Sequence, residues 1–234
     1  MTDYPSRSRI WELDFLRGIA LIAMIAFHTV YNLKEFYQVP VSYEVGPVYY
    51  LGRFAASLFI VVAGISCSLS KNNIRRGAKI FLFGLMITLV TYLVNPAFNI
   101  IFGILHFLGA AILLNSFFIR FSPGVLLILG TAIILAGSYF REIVMPNNLL
   151  APFGLLGPEF FSVDYYPLVP WLGLFLYGVS LGKILYNGKK SLVANSALRQ
   201  SFVNILGQHS LIIYLLHQPV ILLLLSLLYG SFPF

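Results

Sequence analysis

Residues 12–33, ELDFLRGIALIAMIAFHTVYNL, are apolar enough to enter a bilayer, yet they carry Asp14, Arg17 and His28. At about 100° and 1.5 Å per residue, Arg17 and His28 lie about three helical turns and roughly 16 Å apart, offset by about 20°. Asp14, Leu21 and Asn32 fall within about 40–60° of that line. One stripe of a membrane helix therefore holds an acid, a guanidinium, an imidazole and an amide. Charged groups at the centre of a membrane helix cost about 2.5–3.5 kcal/mol each on insertion scales, and they face a bundle interior or a wet cavity. The stripe marks a candidate site.

The surrounding chain supports a membrane setting. Of 234 residues, 59% are hydrophobic and 10% charged, whereas a soluble domain is about 25% charged. The formal charge of +7 is therefore read as a topology signal, and no nucleic-acid partner is expected. The single cysteine, Cys67, rules out an intrachain disulfide. The first apolar stretch is too long and too interrupted by charge for a cleavable leader, so it is expected to remain as a span. Apolar windows of about 20 residues give seven candidate spans. They cover residues 12–33, 48–69, 75–94, 99–118, 123–140, 166–186 and 208–229. The expectation is an all-α integral membrane protein, a bundle of about seven transmembrane helices in one domain over 1–234, with no internal repeat.

Lysine and arginine placement orients the bundle. With the N-terminus cytoplasmic, the inner segments hold Arg7, Arg9, Lys71, Arg75, Arg76, Lys79, Arg120, Lys183, Lys189, Lys190 and Arg199, and the outer ones only Lys34 and Arg141. The C-terminus is then outside. The longest outer connection, 141–165, carries Glu142, Glu159 and Asp164 among aromatic residues. Small residues in the second span (Ala55, Ala56, Ser57, Ala63, Gly64, Ser66) suit close approach of a neighbouring helix.

Orientation assigns depth. His28, Arg53, His106 and His217 reach levels at which they could share a cavity opening inward past Arg17, while His209 sits near the inner face. Each has a plainer reading as well. Asp14 and Arg17, three apart, suit a simple ion pair. Arg53 suits an interfacial anchor, and His106 and His217 suit core histidines bonded to carbonyls.

Several runs resemble a known family. ELDFLRGIALIAMIAFH, with Arg17 and His28, resembles the first-helix signature of membrane acyltransferases that acetylate polysaccharides. GRFAASLFIVVAGIS (52–66), RRGAKIFLFGLMITLVTYL (75–93), FGILHFLGA (102–110), YPLVPWLGLFLYG (166–178) and GQHSLIIYLLHQP (207–219) are similar to prokaryotic relatives of heparan-α-glucosaminide N-acetyltransferase. The resemblance implies an enzyme of a prokaryotic plasma membrane that moves an acetyl group from cytoplasmic acetyl-CoA to an acceptor outside. In the eukaryotic namesake that acceptor is a glucosamine amine. The namesake has more spans, and its proposed catalytic histidine follows the first helix, where residues 34–47 here hold none. His28 is the carry-over instead.

On this reading His28 is a general base or an acyl acceptor. Arg53 or His106 would hold the developing oxyanion. Lys71, Arg75, Arg76 and Lys79 would dock the nucleotide of acetyl-CoA, with Arg17 and His217 along the path of its arm. Asp14, Asn32, Glu159 and Asp164 are assigned to a sugar or amino-sugar acceptor. No metal is expected, and a homo-oligomer is compatible with the chain. The rival class is a proton- or ion-coupled small-molecule transporter, which also builds on intramembrane histidine, arginine and aspartate.

Overall fold

The computed structural model describes residues 9–193 and 197–231. Arg7, counted above among the inner cations, lies outside the described residues. Among the described residues eight α-helices run in chain order: α1 Trp11–Tyr37, α2 Gly46–Leu69, α3 Asn73–Val94, α4 Ile104–Phe118, α5 Pro123–Phe140, α6 Leu168–Leu185, α7 Phe202–Gln208 and α8 Ser210–Tyr229. Six of them (α1, α2, α3, α5, α6 and α8) are long and apolar enough to cross a bilayer, and α4 is a shorter apolar helix. Among the described residues there is no strand, so this is an α-helical membrane protein.

Helix ends follow local chemistry. The Asn72 side chain accepts the Arg75 N–H to open α3, Ser122 accepts from Val125 ahead of Pro123 in α5, and Ser201 accepts from Asn204 in α7. Gln38, at φ 54°, closes α1 in the left-handed conformation, its N–H directed at the carbonyls of Leu33 and Lys34.

The chain divides into two compact units. The first takes the described residues of Met1–Phe59 and Gly188–Phe234, the second Ile60–Asn187. α2 contributes residues 46–59 to one and 60–69 to the other.

In the first unit, α1 packs on α7 and α8. A Cβ added at Gly207 would fall on the carbonyl oxygen of Asp14, and one at Gly18 on that of Val203. These reciprocal glycines bring the backbones of α1 and α7 into contact, as small residues do between membrane helices. Leu21, Ala23, Met24 and Ala55 form the buried cluster, with Leu206, Ile213 and Tyr214 packed on it from α7 and α8.

In the second unit, α3 pairs with α4 and α5 with α6. Gly64 meets the carbonyl of Phe175, while Gly178 and Gly182 of α6 meet Val61 and Ile65. The small-residue face expected of the second span is used there. The Lys183 ammonium donates to Ile119 O at 2.8 Å and Phe121 O at 2.5 Å just beyond the end of α4.

One expectation is corrected. The span expected at 99–118 is helical only from Ile104, because residues 99–104 bond to residues 162–166 instead. Val163 N–H donates to Asn99 O at 3.2 Å, Tyr166 N–H to Phe102 O at 2.9 Å, and Ile104 N–H to Asp164 Oδ2 at 3.0 Å. Fifteen residues rise about 22 Å, short of a hydrocarbon core of about 30 Å. The last expected span, 208–229, matches α8 to within two residues, and the short α7, which was not expected, precedes it.

The backbone contact of α1 with α7 predicts the effect of a single methyl group. Gly207→Ala should destabilise the protein by about 1–3 kcal/mol through overpacking, read as a lower thermal midpoint in detergent. An unchanged midpoint would mean the two helices stand further apart.

Candidate functional site

The polar stripe of α1 begins with a carboxylate that cannot stay alone. Asp14 is 1% exposed. Arg17 Nη1 lies 2.5 Å from its Oδ1 and Arg9 Nε 2.6 Å from its Oδ2. A buried carboxylate is tolerated when paired and hydrogen-bonded, and its place in the first turn of α1 suits the helix dipole. Asp14, expected to meet an acceptor, is thus held by two guanidiniums. An open cavity of about 590 Å³ adjoins it, lined by Arg9, Trp11, Asp14, Arg199, Asn204 and Gln208 among others.

About four turns up from Asp14, α1 presents His28 and Asn32 to α8. Asn32 is fully buried, and its Nδ2 donates to Gln218 Oε1 at 2.8 Å. Gln218 Nε2 lies 3.0 Å from His28 Nδ1. The His28 and His217 ring centroids are 4.9 Å apart. Two amides and two imidazoles therefore form one polar cluster between two apolar helices.

The protons in this cluster follow from its partners. With Gln218 Nε2–H donating, His28 Nδ1 is an acceptor, and the neutral ring carries its proton on Nε2. A half-turn of both amides gives the reverse arrangement: Gln218 Oε1 accepts from His28 Nδ1–H, and Asn32 Oδ1 accepts from Gln218. Gln218 thus sets which nitrogen of His28 is protonated. His217 has no such freedom. Its Nδ1 lies 2.5 Å from Tyr214 O; a carbonyl only accepts, so Nδ1 carries the proton. His217 Nε2 is then a bare lone pair, buried and without a partner among the described residues.

Aromatic rings surround His28. Phe27 and Tyr31 stand edge-on at 5.4 and 6.3 Å, and Tyr43 lies 5.0 Å from Tyr31. The Tyr43 hydroxyl donates to Glu35 Oε1 at 2.9 Å; burial and that carboxylate push its pKa up. Arg53 is exposed, with its guanidinium 5.1 Å from the Tyr49 ring centroid, an arrangement that suits an interfacial anchor.

The remaining expected residues belong to the second unit. Thr88 Oγ1 donates to Ile100 O at 2.5 Å and so accepts from His106 Nε2, 3.2 Å away. His106 packs between Phe81 and Phe102 and against Gly84, where a Cβ would crowd its ring. Lys71, Arg75 and Lys79 are exposed. Arg76 instead turns back on the end of α2, with its Nη atoms 3.5 Å from Ala63 O and Ser66 O and 2.9 Å from Cys67 Sγ. Glu159 is exposed.

Asp164 is spent on the first N–H of α4, and burial pushes its pKa up to about 6, the Ile104 hydrogen bond opposing. A carboxyl raised in the folded state adds stability below the ordinary carboxylate range, and that contribution is lost as pH rises through about 6.

The geometry assembles His28, Asn32 and His217 from separate parts of the sequence reading and adds Gln218, which that reading missed. An amide in the middle of an apolar helix was the available signal.

The family described as heparan-alpha-glucosaminide N-acetyltransferase, catalytic, matches residues 9–219. The chain belongs to that family. The matched region of this heparan-alpha-glucosaminide N-acetyltransferase relative includes both the Arg17–His28 stripe and the His217–Gln218 pair. Membership points to a membrane acetyltransferase. Comparison with curated proteins and with solved structures gives no match.

The relay makes a spectroscopic prediction. In protein labelled with nitrogen-15 histidine, Gln218→Leu should shift the tautomer populations of His28 and leave His217 protonated on Nδ1. It should also destabilise the fold by about 1–3 kcal/mol, because Asn32 loses its acceptor in a buried place. Unchanged His28 resonances would show that Gln218 does not govern that ring.

Proposed function

We propose that this protein transfers an acetyl group from acetyl-CoA, a substrate arriving from the cytoplasm, to an amine or hydroxyl of a sugar-like acceptor on the other side. The observation that carries the proposal is the His28–His217 pair, two imidazoles 4.9 Å apart with Gln218 and Asn32 behind them, in a chain of an acetyltransferase family. Acetyl transfer asks for two things at one point. A base must take the acceptor's proton, and a donor must stabilise the oxygen of the thioester carbonyl as it gains charge. A neutral imidazole offers one nitrogen of each kind, and two imidazoles offer the choice of which does what. His28, the stripe's imidazole, stands at this centre as base, acyl acceptor or oxyanion donor.

The acceptor side is supported by the rings around His28. Phe27, Tyr31 and Tyr43 give apolar faces for a sugar ring, and Glu35 at Tyr43 gives an acidic partner for an amine or hydroxyl. The donor's nucleotide cannot enter hydrocarbon and needs cations outside it. Lys71, Arg75 and Lys79 are the exposed cations among those proposed from sequence, while Arg76 holds the end of α2. The cavity at Arg9 and Arg199 offers a second place, about 21 Å along α1 from His28 when measured from Asp14. The N-terminus is proposed to face the cytoplasm, on the lysine and arginine bias, and the membrane to be a prokaryotic plasma membrane.

The test uses purified protein in proteoliposomes, with labelled acetyl-CoA on the N-terminal side and glucosamine on the other. Wild type should acetylate glucosamine, and His28→Ala should lower turnover by about 10²–10⁴ while remaining folded. Turnover of His28→Ala at the wild-type rate removes His28 from the reaction. Glucosamine uptake without acetyl-CoA would point to a carrier. Arg75→Gln with Lys79→Gln should weaken acetyl-CoA binding. Unchanged affinity there, with a loss in Arg199→Gln, would move the nucleotide to the α1 cavity.

A further inference from the structure

We infer that His217 is the group that removes the acceptor's proton, and that His28 holds the carbonyl oxygen. This rests on the acetyl-transfer reading above and assigns roles within it. The asymmetry between the two rings carries the inference. His28 is bonded to an amide, which can present either a donor or an acceptor. His217 is bonded to the Tyr214 carbonyl, which accepts only. In neutral His217 the bare nitrogen is therefore always Nε2, and it is buried with no donor from the described protein. His106 Nδ1 and the Asn115 amide are also buried without a partner among the described residues, but the His217 ring lies against a second imidazole. A substrate O–H or N–H is the missing donor.

The neighbouring ring then takes the complementary state. If His28 also left Nε2 bare, the two rings, with centroids 4.9 Å apart, would offer two acceptors and no donor for the carbonyl oxygen. With Gln218 donating to Nδ1, His28 Nε2 carries a proton and donates. The pair offers one acceptor and one donor, which is what attack on a thioester requires. In this arrangement Asn32 presents Nδ2–H to Gln218 Oε1, which leaves Gln218 Nε2 to donate to His28.

The acceptor's nitrogen or oxygen bonds to the thioester carbonyl carbon, and its proton moves to His217 Nε2. The carbonyl oxygen, now an oxyanion, accepts a hydrogen bond from His28 Nε2–H. The carbon–sulfur bond breaks as the oxyanion collapses, and the CoA thiolate takes the proton back from His217. Acetylated acceptor and CoA thiol leave, and both imidazoles return to neutral.

The test compares His217→Ala with His217→Gln, whose amide can still donate to the Tyr214 carbonyl, measuring thiol released from acetyl-CoA with glucosamine as acceptor. Both variants should bind acetyl-CoA within about twofold of wild type and lose about 10²–10⁴ in kcat. Added imidazole should restore part of the rate to His217→Ala and none to His28→Ala. Should His217→Ala fail to fold, His217→Gln alone decides by its kcat. A His217→Gln enzyme turning over as fast as wild type overturns the assignment while leaving the acetyltransferase reading in place. A wild-type protein that neither binds acetyl-CoA nor releases its thiol sinks both.

Discussion

An amide in the middle of an apolar helix has to find its partners in a medium that offers none. Gln218 meets this demand by bonding Asn32 on one side and His28 on the other. Each such bond within a membrane contributes only about 0.6–1.7 kcal/mol. The cost of leaving a member unpaired is larger, because no water replaces the lost partner. The contact is therefore specific more than it is strong. It fixes the register of α8 on α1, sets the proton on His28, and places His217 alongside. Few other registers of two apolar helices would satisfy these amides at once.

That register depends on how closely helices approach at the other end of α1. Gly18 and Gly207 let α7 lie directly on the α1 backbone, and α8 follows α7 after a single residue. Asp14, enclosed by Arg9 and Arg17, sits in the same contact. The acid–guanidinium group and the imidazole group of the stripe thus have different work. The lower one fastens the start of α1 beside an open polar cavity, and the upper one forms a chemically capable pair. Larger side chains at the glycines would move the upper group by moving the helices that carry it.

The stripe on α1 was legible because charge inside a hydrophobic run has few explanations, and helical periodicity places its members on one face. The spans were legible for a similar reason: length and hydropathy are local properties. What escaped the sequence is tertiary. The truncation of α4 arises because Asn99, Phe102 and Ile104 bond to residues 162–166, some 60 positions away. α7 has seven residues, too few for periodicity to mark. Arg76 reads as one of four equivalent cations until its guanidinium is seen against the last carbonyls of α2. His217 reads as one of four residues at a similar depth, and Gln218 as nothing in particular, until α8 is laid on α1.

Family membership accounts for an acetyltransferase scaffold, and the cluster on α1 and α8 is the proposed place of reaction. The account stands on that place being where the acyl group arrives. The most direct measurement is a structure of the protein with bound CoA, in which the sulfur can be located without ambiguity. The account predicts the sulfur within contact distance of the His28 and His217 imidazoles. A sulfur held elsewhere, with both rings packed only against protein or lipid, would contradict it.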